Sequence, residues 1–187
     1  MARWDAGAPE RLRQAALDLF GEHGYDAVTV TQIAERAGLT RRTFHRYFPD
    51  KREILFAGSE RLPLAVTEAV LAAKPGLAPL RAALAALREV GTEVSAMVTD
   101  SGRRRAIIES SAELRERERS KSADIAAALR NALERRGSGP VEARLAARVA
   151  SIVSEEAFGR WAEGEGPFPE CFDVAEAALH AVLATDA

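Results

Sequence analysis

The sequence predicts an all-α protein of nine helices, and three observations carry that reading. Of the 187 residues, 38 are Ala, and with Leu, Arg and Glu they make strong helix formers the dominant class. Val and Ile together number only 18, too few to furnish a large sheet. Apolar residues recur at helical spacing between breaks that carry Gly or Pro. The composition, 47% apolar and 29% charged, is that of a folded chain rather than a disordered one. At roughly 150 residues per domain, the length allows one or two compact units.

The elements follow in order. A first helix is expected over about 9–23, with Pro9 at its start, Leu12, Ala15, Ala16, Leu19 and Phe20 on one face, and Gly24 as its stop. Thr29-Val-Thr-Gln32 is a capping box that opens a short helix through Ala37, with Val30, Ile33, Ala34 and Ala37 on one side. Gly38-Leu39 is a tight break. Thr40 caps a third helix from Arg41 to about Phe48, with Phe44, Tyr47 and Phe48 inward, and Pro49 ends it. Asp50-x-x-Glu53 is another capping box, from which a fourth helix is expected to run to about Ala73. Pro63 should kink that helix and is a candidate hinge.

Lys74-Pro75-Gly76 is a turn. A fifth helix is expected over about 78–99, with Leu80, Leu84, Leu87, Val90, Val94, Met97 and Val98 inward, and Asp100-Ser101-Gly102 breaks it. Residues 103–121 hold seven basic and four acidic side chains, read as a sixth helix around Ile107 and Ile108 followed by a solvated junction. A seventh helix is expected at about 122–136, closed by Gly137-Ser-Gly-Pro140, an eighth at about 140–163, and a ninth at about 171–185 after the loop at 164–169.

Charge and chemistry exclude several classes. The net charge is −2, but residues 36–52 hold Arg36, Arg41, Arg42, Arg46, Lys51 and Arg52 against Asp50 alone, a local +5. Three His and one Cys leave no dedicated zinc site, and no metal or cofactor is expected. Cys171 has no second Cys to pair with or to resolve an oxidised thiol, which fits a reducing compartment. There is no Walker loop, no H-E-x-x-H and no G-x-S-x-G. Glu155 and Glu156 are adjacent on a helix and point about 100° apart, so they do not converge. An enzyme is not expected. The N-terminus lacks the apolar run of a signal peptide and no stretch of about 18 apolar residues occurs, so a cytoplasmic protein without a membrane segment is expected. Arg103-Arg104-Arg105 and Arg115 to Lys121, with their mixed signs, read as a solvated face, and His23 and His180 as structural or exposed.

The second and third helices, joined by Gly38-Leu39, form a helix-turn-helix candidate. One helix braces another at a steep angle, so the turn calls for a residue tolerant of unusual dihedrals. The second helix is apolar inward through Phe44, Tyr47 and Phe48, and basic or hydroxylic outward through Thr40, Arg41, Arg42, Thr43, His45 and Arg46. Such a helix fits the DNA major groove.

The run from Thr29 to Lys51, TVTQIAERAGLTRRTFHRYFPDK, resembles the DNA-binding signature of TetR-family repressors, and Ala16 to Tyr25, ALDLFGEHGY, resembles that family's first helix. The resemblance covers about residues 9–56, with Ile33-Ala34, Ala37-Gly38, Tyr47-Phe48 and Lys51 in register. Two positions depart from the pattern: Arg42 stands where many members have Gly, and His45 where many have Tyr. Both face outward, so they bear on the operator sequence rather than the fold. The resemblance implies a two-domain, all-α architecture: an N-terminal three-helix DNA-binding domain at 1–56 and a C-terminal helical effector-binding and dimerisation domain at 57–187. It implies a homodimer on a near-palindromic double-stranded operator, a repressor released by a small, largely apolar effector. The alternatives are a constitutive DNA-binding dimer without effector, and a ligand-binding or enzymatic helical protein that retains the DNA module.

Residue by residue, Arg41 and Arg42 are the expected base readers, because guanidinium pairs bidentately with guanine. Thr43 and His45 are further candidates for base or backbone contact. Thr29, Thr31, Thr40, Tyr47 and Lys51 are expected at phosphates, and Arg3 at a minor groove. The eighth helix is apolar nearly all round at its centre and the ninth carries an Ala-rich stripe, which together suggest a four-helix dimer interface. Val149, Ile152, Val153, Ala175, Ala178, Leu179 and Val182 are its expected members. Val94, Met97, Val98, Ile107, Ile108, Leu129, Phe158 and Trp161 are the candidate effector pocket, each with ordinary core packing as its alternative. Glu155, Glu156 and Arg160 are candidates to orient a ligand.

Overall fold

Local chemistry sets most helix boundaries in the computed structural model, which describes residues 7–184. α1 (Ala8–His23) has a proline in its first turn and ends where the Gly24 N–H donates to the Phe20 carbonyl at 2.9 Å. α2 (Val30–Arg36) and α3 (Arg41–Tyr47) start at Thr29 and Thr40, whose hydroxyls accept from the Gln32 and Thr43 N–H groups. Then come α4 (Leu62–Ala72), α5 (Pro79–Met97), α6 (Ser101–Ser110), α7 (Ala112–Arg135), α8 (Pro140–Ala162) and α9 (Phe168–Leu183). Four of these, α4, α5, α8 and α9, also carry a proline in the first turn, where its missing N–H is no loss. The described residues are all-helical, with no strand. None of their helices is long and apolar enough to cross a membrane.

Two expected elements differ. Asp50 does cap, since its carboxylate accepts the Glu53 N–H at 2.9 Å. It opens only a 3-10 turn, Arg52–Ile54, and a second one, Ser59–Arg61, precedes α4. Ile54, Leu55 and Phe56, at the end of that first turn and just beyond it, are all buried. Pro63 therefore lies in the first turn of α4 and does not kink a longer helix. The second difference is the charged segment. Residues 103–121 are not a solvated junction but helical on both sides of Ser111, and α7 begins well before residue 122. Leu114, fully buried with Ile107 and Ile108, is the apolar anchor hidden among these charges.

The described residues divide into two units. One comprises residues up to Ser59 together with Arg103–Glu118, and the other Glu60–Gly102 with the chain from Arg119 onward. The chain passes between them three times, and two passages fall inside helices, α6 and α7.

In the first unit, α1 packs on α2 and α3 around Leu12, Ala16, Phe20, Ile33, Phe44 and Phe48. Ile54, Leu55, Phe56, Ile107, Ile108 and Leu114 extend the same core. Charged groups tie its elements. The Arg117 guanidinium grips the Glu53 carboxylate at 2.7 and 3.1 Å, and Arg104 Nε donates to the Leu55 carbonyl at 2.8 Å. Both guanidiniums lie over the Phe56 ring, at 5.3 Å for Arg104 and 4.9 Å for Arg117. Arg103 pairs with Asp18 at 2.8 Å. Arg104 and Arg117 are thus structural donors, whereas Arg103, Arg115 and Arg119 are exposed as the solvated-face reading expects.

In the second unit, α5 and α8 form the centre, with α9 on both and α4 on α5. Arg136, at the end of α7, donates to the carbonyls of Val70, Ala73 and Lys74 at 2.8–3.0 Å and so closes the C-terminus of α4. Arg88 of α5 and Asp173 of α9 form a two-pronged pair at 3.1 and 2.8 Å. Phe158, Phe168 and Phe172 stack in sequence, with ring centroids 4.4 and 5.9 Å apart.

The Phe168 ring reaches the backbone of α5 because residue 91 is Gly: a Cβ there would lie 2.4 Å from the ring. Gly91→Ala is expected to destabilise the protein by roughly 1–3 kcal/mol through overpacking. Urea unfolding checks this, and Phe168→Leu in the same chain should recover part of the loss. A loss that is additive in the double variant would assign it elsewhere.

Candidate nucleic-acid interface

The joint between α2 and α3 is built from backbone geometry. Gly38 has φ +68°, and its N–H donates to the Glu35 carbonyl at 3.0 Å while Leu39 N–H reaches the Ala34 carbonyl at 2.8 Å. These are the two bonds of a Schellman end, which needs a left-handed residue at this position. The chain then turns within two residues into the Thr40 cap. The Thr40 hydroxyl accepts the Thr43 N–H at 3.1 Å and lies 3.0 Å from the Thr43 hydroxyl.

The inner face of α3 is Phe44, fully buried, followed by Phe48 just past its end, with ring centroids 5.5 Å apart. The outer face carries Arg41, Arg42, His45 and Arg46, all exposed, with Thr40 exposed at its cap. Thr43 and Tyr47 are half-buried at its flanks. Arg46 lies over the Tyr47 ring at 4.8 Å and donates to its hydroxyl at 3.0 Å. The His45 ring stands edge-on to Phe44. Among the described residues, neither Arg41 nor Arg42 is ion-paired. Thr29 and Thr31 are exposed at the start of α2, and the Thr29 hydroxyl is engaged in the capping box with Gln32.

The structure distinguishes cations that the local charge count treats alike. Arg36 grips Glu22 of α1 at 3.1 and 2.9 Å, an exchange that holds the Glu22 carboxyl below its ordinary value and the guanidinium above it. Arg52 faces Asp50, Glu53 and Glu113. Lys51 is half-buried. Its ammonium donates to the carbonyls of Tyr25 at 2.7 Å and Val28 at 2.9 Å, and burial pushes its pKa down. The cations left facing outward are Arg41, Arg42 and Arg46. Arg46 belongs to this face by helical spacing, though it is not among the residues expected to touch DNA. Arg3 lies outside the described residues.

The other two expected groups separate. Ile107 and Ile108 are in the core of the first unit, so the eight candidate pocket residues are not one set. Leu129 is fully buried in the second unit's core, with Val94, Phe158 and Trp161 partly buried against it. Met97 is 77% exposed and Val98 half-buried. Glu156 pairs with Arg160 at 3.6 Å, and Glu155 is exposed. Of the expected dimer residues, Ile152, Ala178 and Val182 are exposed and Val149 and Leu179 half-buried, whereas Val153 and Ala175 are buried within the protomer. Neighbours on a helix differ by about 100°, so the stretch from Val149 to Val153 feeds both the core and the outer face. Exposed Val141 and Leu145 lengthen the outer stripe of α8, and Val174 that of α9. Cys171 is buried, its thiol pushed up by that burial.

Residues 12–57 match the family model of bacterial regulatory proteins, tetR family. This segment of the chain is of tetR type. Over 81 residues it is 36% identical to the transcriptional regulator TcmR of Streptomyces glaucescens, covering 43% of this chain and 36% of TcmR. Over 65 residues it is 35% identical to an uncharacterised HTH-type regulator of Bacillus subtilis, YdeS, covering 32% and 33% of the two chains. The match thus spans about a third of the length of these curated relatives. The likeness of fold is broader. SmeT, the repressor of the Stenotrophomonas maltophilia multidrug efflux pump SmeDEF, aligns with TM-score 0.53 and 24% identity over 91% of this chain and 89% of its own. A transcriptional regulator from Aquifex aeolicus aligns with TM-score 0.58 and 20% identity over 94% and 99%. The likeness of fold thus spans nearly the whole chain, whereas the sequence likeness to these curated relatives covers 32–43% of it.

Thr40→Ala removes the acceptor for the Thr43 N–H and is expected to cost about 1 kcal/mol. Thermal or urea unfolding checks it, and Thr40→Ser should retain most of the stability. A Ser variant as unstable as the Ala variant would mean that the methyl group, not the cap, matters.

Proposed function

We propose that this protein is a DNA-binding transcriptional regulator, a homodimer on a near-palindromic operator and a repressor released by a small, largely apolar effector. The observation that carries the reading is the outer face of α3. Arg41 and Arg42 extend from the first turn of a helix that is braced by a buried Phe44, and no acidic group neutralises them among the described residues. A helix in the major groove presents its N-terminal residues to base edges, and guanidinium matches the O6 and N7 acceptors of guanine. Thr43 and His45 flank this reading edge. Thr29, Thr31, Thr40 and Tyr47 supply hydroxyls for phosphates, which position the helix without specifying sequence.

Dimerisation is supported by two exposed apolar stripes. On α8, Val141, Leu145, Val149 and Ile152 lie along one face, and on α9 Val174, Ala178 and Val182 do so. Ile152 is 66% and Val182 73% exposed in the protomer, an apolar exposure that a second copy would bury. In this reading residues 1–56 carry DNA binding, and residues 57–187 carry dimerisation and effector binding, with Arg103–Glu118 packed in the DNA-binding unit. The apolar and aromatic side chains Val94, Leu129, Phe158 and Trp161 suit an apolar effector, and a structural neighbour is a SmeT–triclosan complex. Such an effector acts only by binding the DNA-free arrangement more tightly than the DNA-bound one. No catalytic step is assigned, and the protein works where the DNA is, in the cytoplasm.

A footprint on the DNA flanking the protein's own gene, at two salt concentrations, tests the reading. A protected, two-fold-related site that outcompetes random DNA is expected. Binding that is blind to sequence there and on selected genomic fragments would overturn it. Arg41→Ala and Arg42→Ala should each weaken binding to the preferred site by roughly 1–3 kcal/mol and relax base preference. Equal losses on random DNA would refute their role as base readers. Ile152→Asp should give a folded monomer in sedimentation equilibrium with weakened operator binding. A dimer of unchanged affinity would reject the α8–α9 interface.

A further inference from the structure

Lys51 lies outside α3, and its ammonium is engaged by backbone carbonyls and an aromatic ring. Its ammonium sits 4.0 Å over the Tyr25 ring and donates to the carbonyls of Tyr25 and Val28. Those carbonyls belong to the turn between α1 and α2, where the Val28 N–H itself reaches the Tyr25 carbonyl at 3.3 Å. The Val28 carbonyl and the Thr29 N–H are the two ends of one peptide group. That N–H donates to Gln32 Oε1 at 2.8 Å as half of the capping box. One peptide plane is thus held at its oxygen by an ammonium from beyond α3 and at its N–H by the first turn of α2. Hydrogen bonds through a shared peptide polarise one another, so each strengthens the other. The arrangement links the residue after α3 to the entry of α2, the helix on which α3 is braced.

We propose that Lys51 is a positioning residue of the DNA-binding unit: it sets α2, and through α2 the presentation of α3, by clamping the Val28–Thr29 peptide. It is not a phosphate ligand. The inference rests on the DNA-binding reading above. Lys51 exerts its effect on affinity in the folded protein, beyond its contribution to stability.

The test is operator affinity across a salt series for the wild-type protein, Lys51→Met and Lys51→Gln, each held well below its unfolding midpoint. The Gln variant keeps a neutral donor for one carbonyl and protects the experiment against a Met variant that does not fold. A lost phosphate contact lowers the slope of log K against log salt by about one unit per protomer. Positioning predicts parallel lines instead, with Kd raised about tenfold at every salt concentration, the scale of a lost charge-assisted hydrogen bond. Gln32→Ala, which frees the other end of the same peptide, should shift Kd in the same way and be non-additive with Lys51→Gln. A slope lowered by a full unit overturns the proposal in favour of phosphate contact. Unchanged Kd in folded variants overturns it in favour of a purely structural role. If the wild-type protein binds no duplex preferentially, the DNA-binding reading itself has failed, an outcome separate from either slope result.

Discussion

The outer face of α3 depends on the burial of Phe44. α3 has seven residues, about two turns, too few to be helical alone in water. It persists because Phe44 is removed entirely from solvent among Ile33, Phe20 and Phe48, and because Thr40 satisfies an N-terminal donor. Burying one such ring contributes about 2–3 kcal/mol, comparable to the cost of ordering a few residues. The same two turns must present their other side to solvent, fully charged. That division of labour explains why apolar and basic residues alternate so sharply between Thr40 and Phe48. It also explains the left-handed Gly38: any looser turn would let the ring leave its cavity.

Away from α3, arginine and lysine act mainly as donors to backbone and carboxylate. Lys51 clamps the turn before α2, Arg104 and Arg117 bind the segment after α3, and Arg136 closes α4. Lys51, Arg104 and Arg136 donate to backbone carbonyls where regular helix stops, and Arg117 to the Glu53 carboxylate. Within residues 36–52, Arg36 is paired with the carboxylate of Glu22 and Arg52 with those of Asp50 and Glu53, which offset their charge. The local +5 therefore overstates the charge that is offered to a partner. The positive face is narrower than the count, centred on three arginines of α3.

The linkage of the units follows from the same groups. Residues 103–118 carry Ile107, Ile108 and Leu114 into the first core, and Arg104 and Arg117 fix them to Phe56, Leu55 and Glu53. Two of the three chain passages between the units lie inside helices, α6 and α7.

Much was legible in the sequence because it is local. The helix-turn-helix, both threonine caps, the Gly38 turn, the outward arginines and the all-α class rest on spacing within a few residues, and the structure reproduces them. The elements misjudged were those decided by distant partners. Where a continuous fourth helix is expected, Ile54, Leu55 and Phe56 fill a core completed by residues some fifty positions later. Arg104 and Arg117 read as solvated until Leu55, Glu53 and Phe56 are brought beside them. The bonds of Lys51 to the Tyr25 and Val28 carbonyls also join positions more than twenty residues apart. Val153 and Ile152 are indistinguishable by composition, yet one is core and the other surface. Propensity, capping and turn chemistry act over one to four residues and can be read along the chain. Burial and the choice of hydrogen-bond acceptor depend on what the folded chain places opposite each side chain, and tertiary packing decided those.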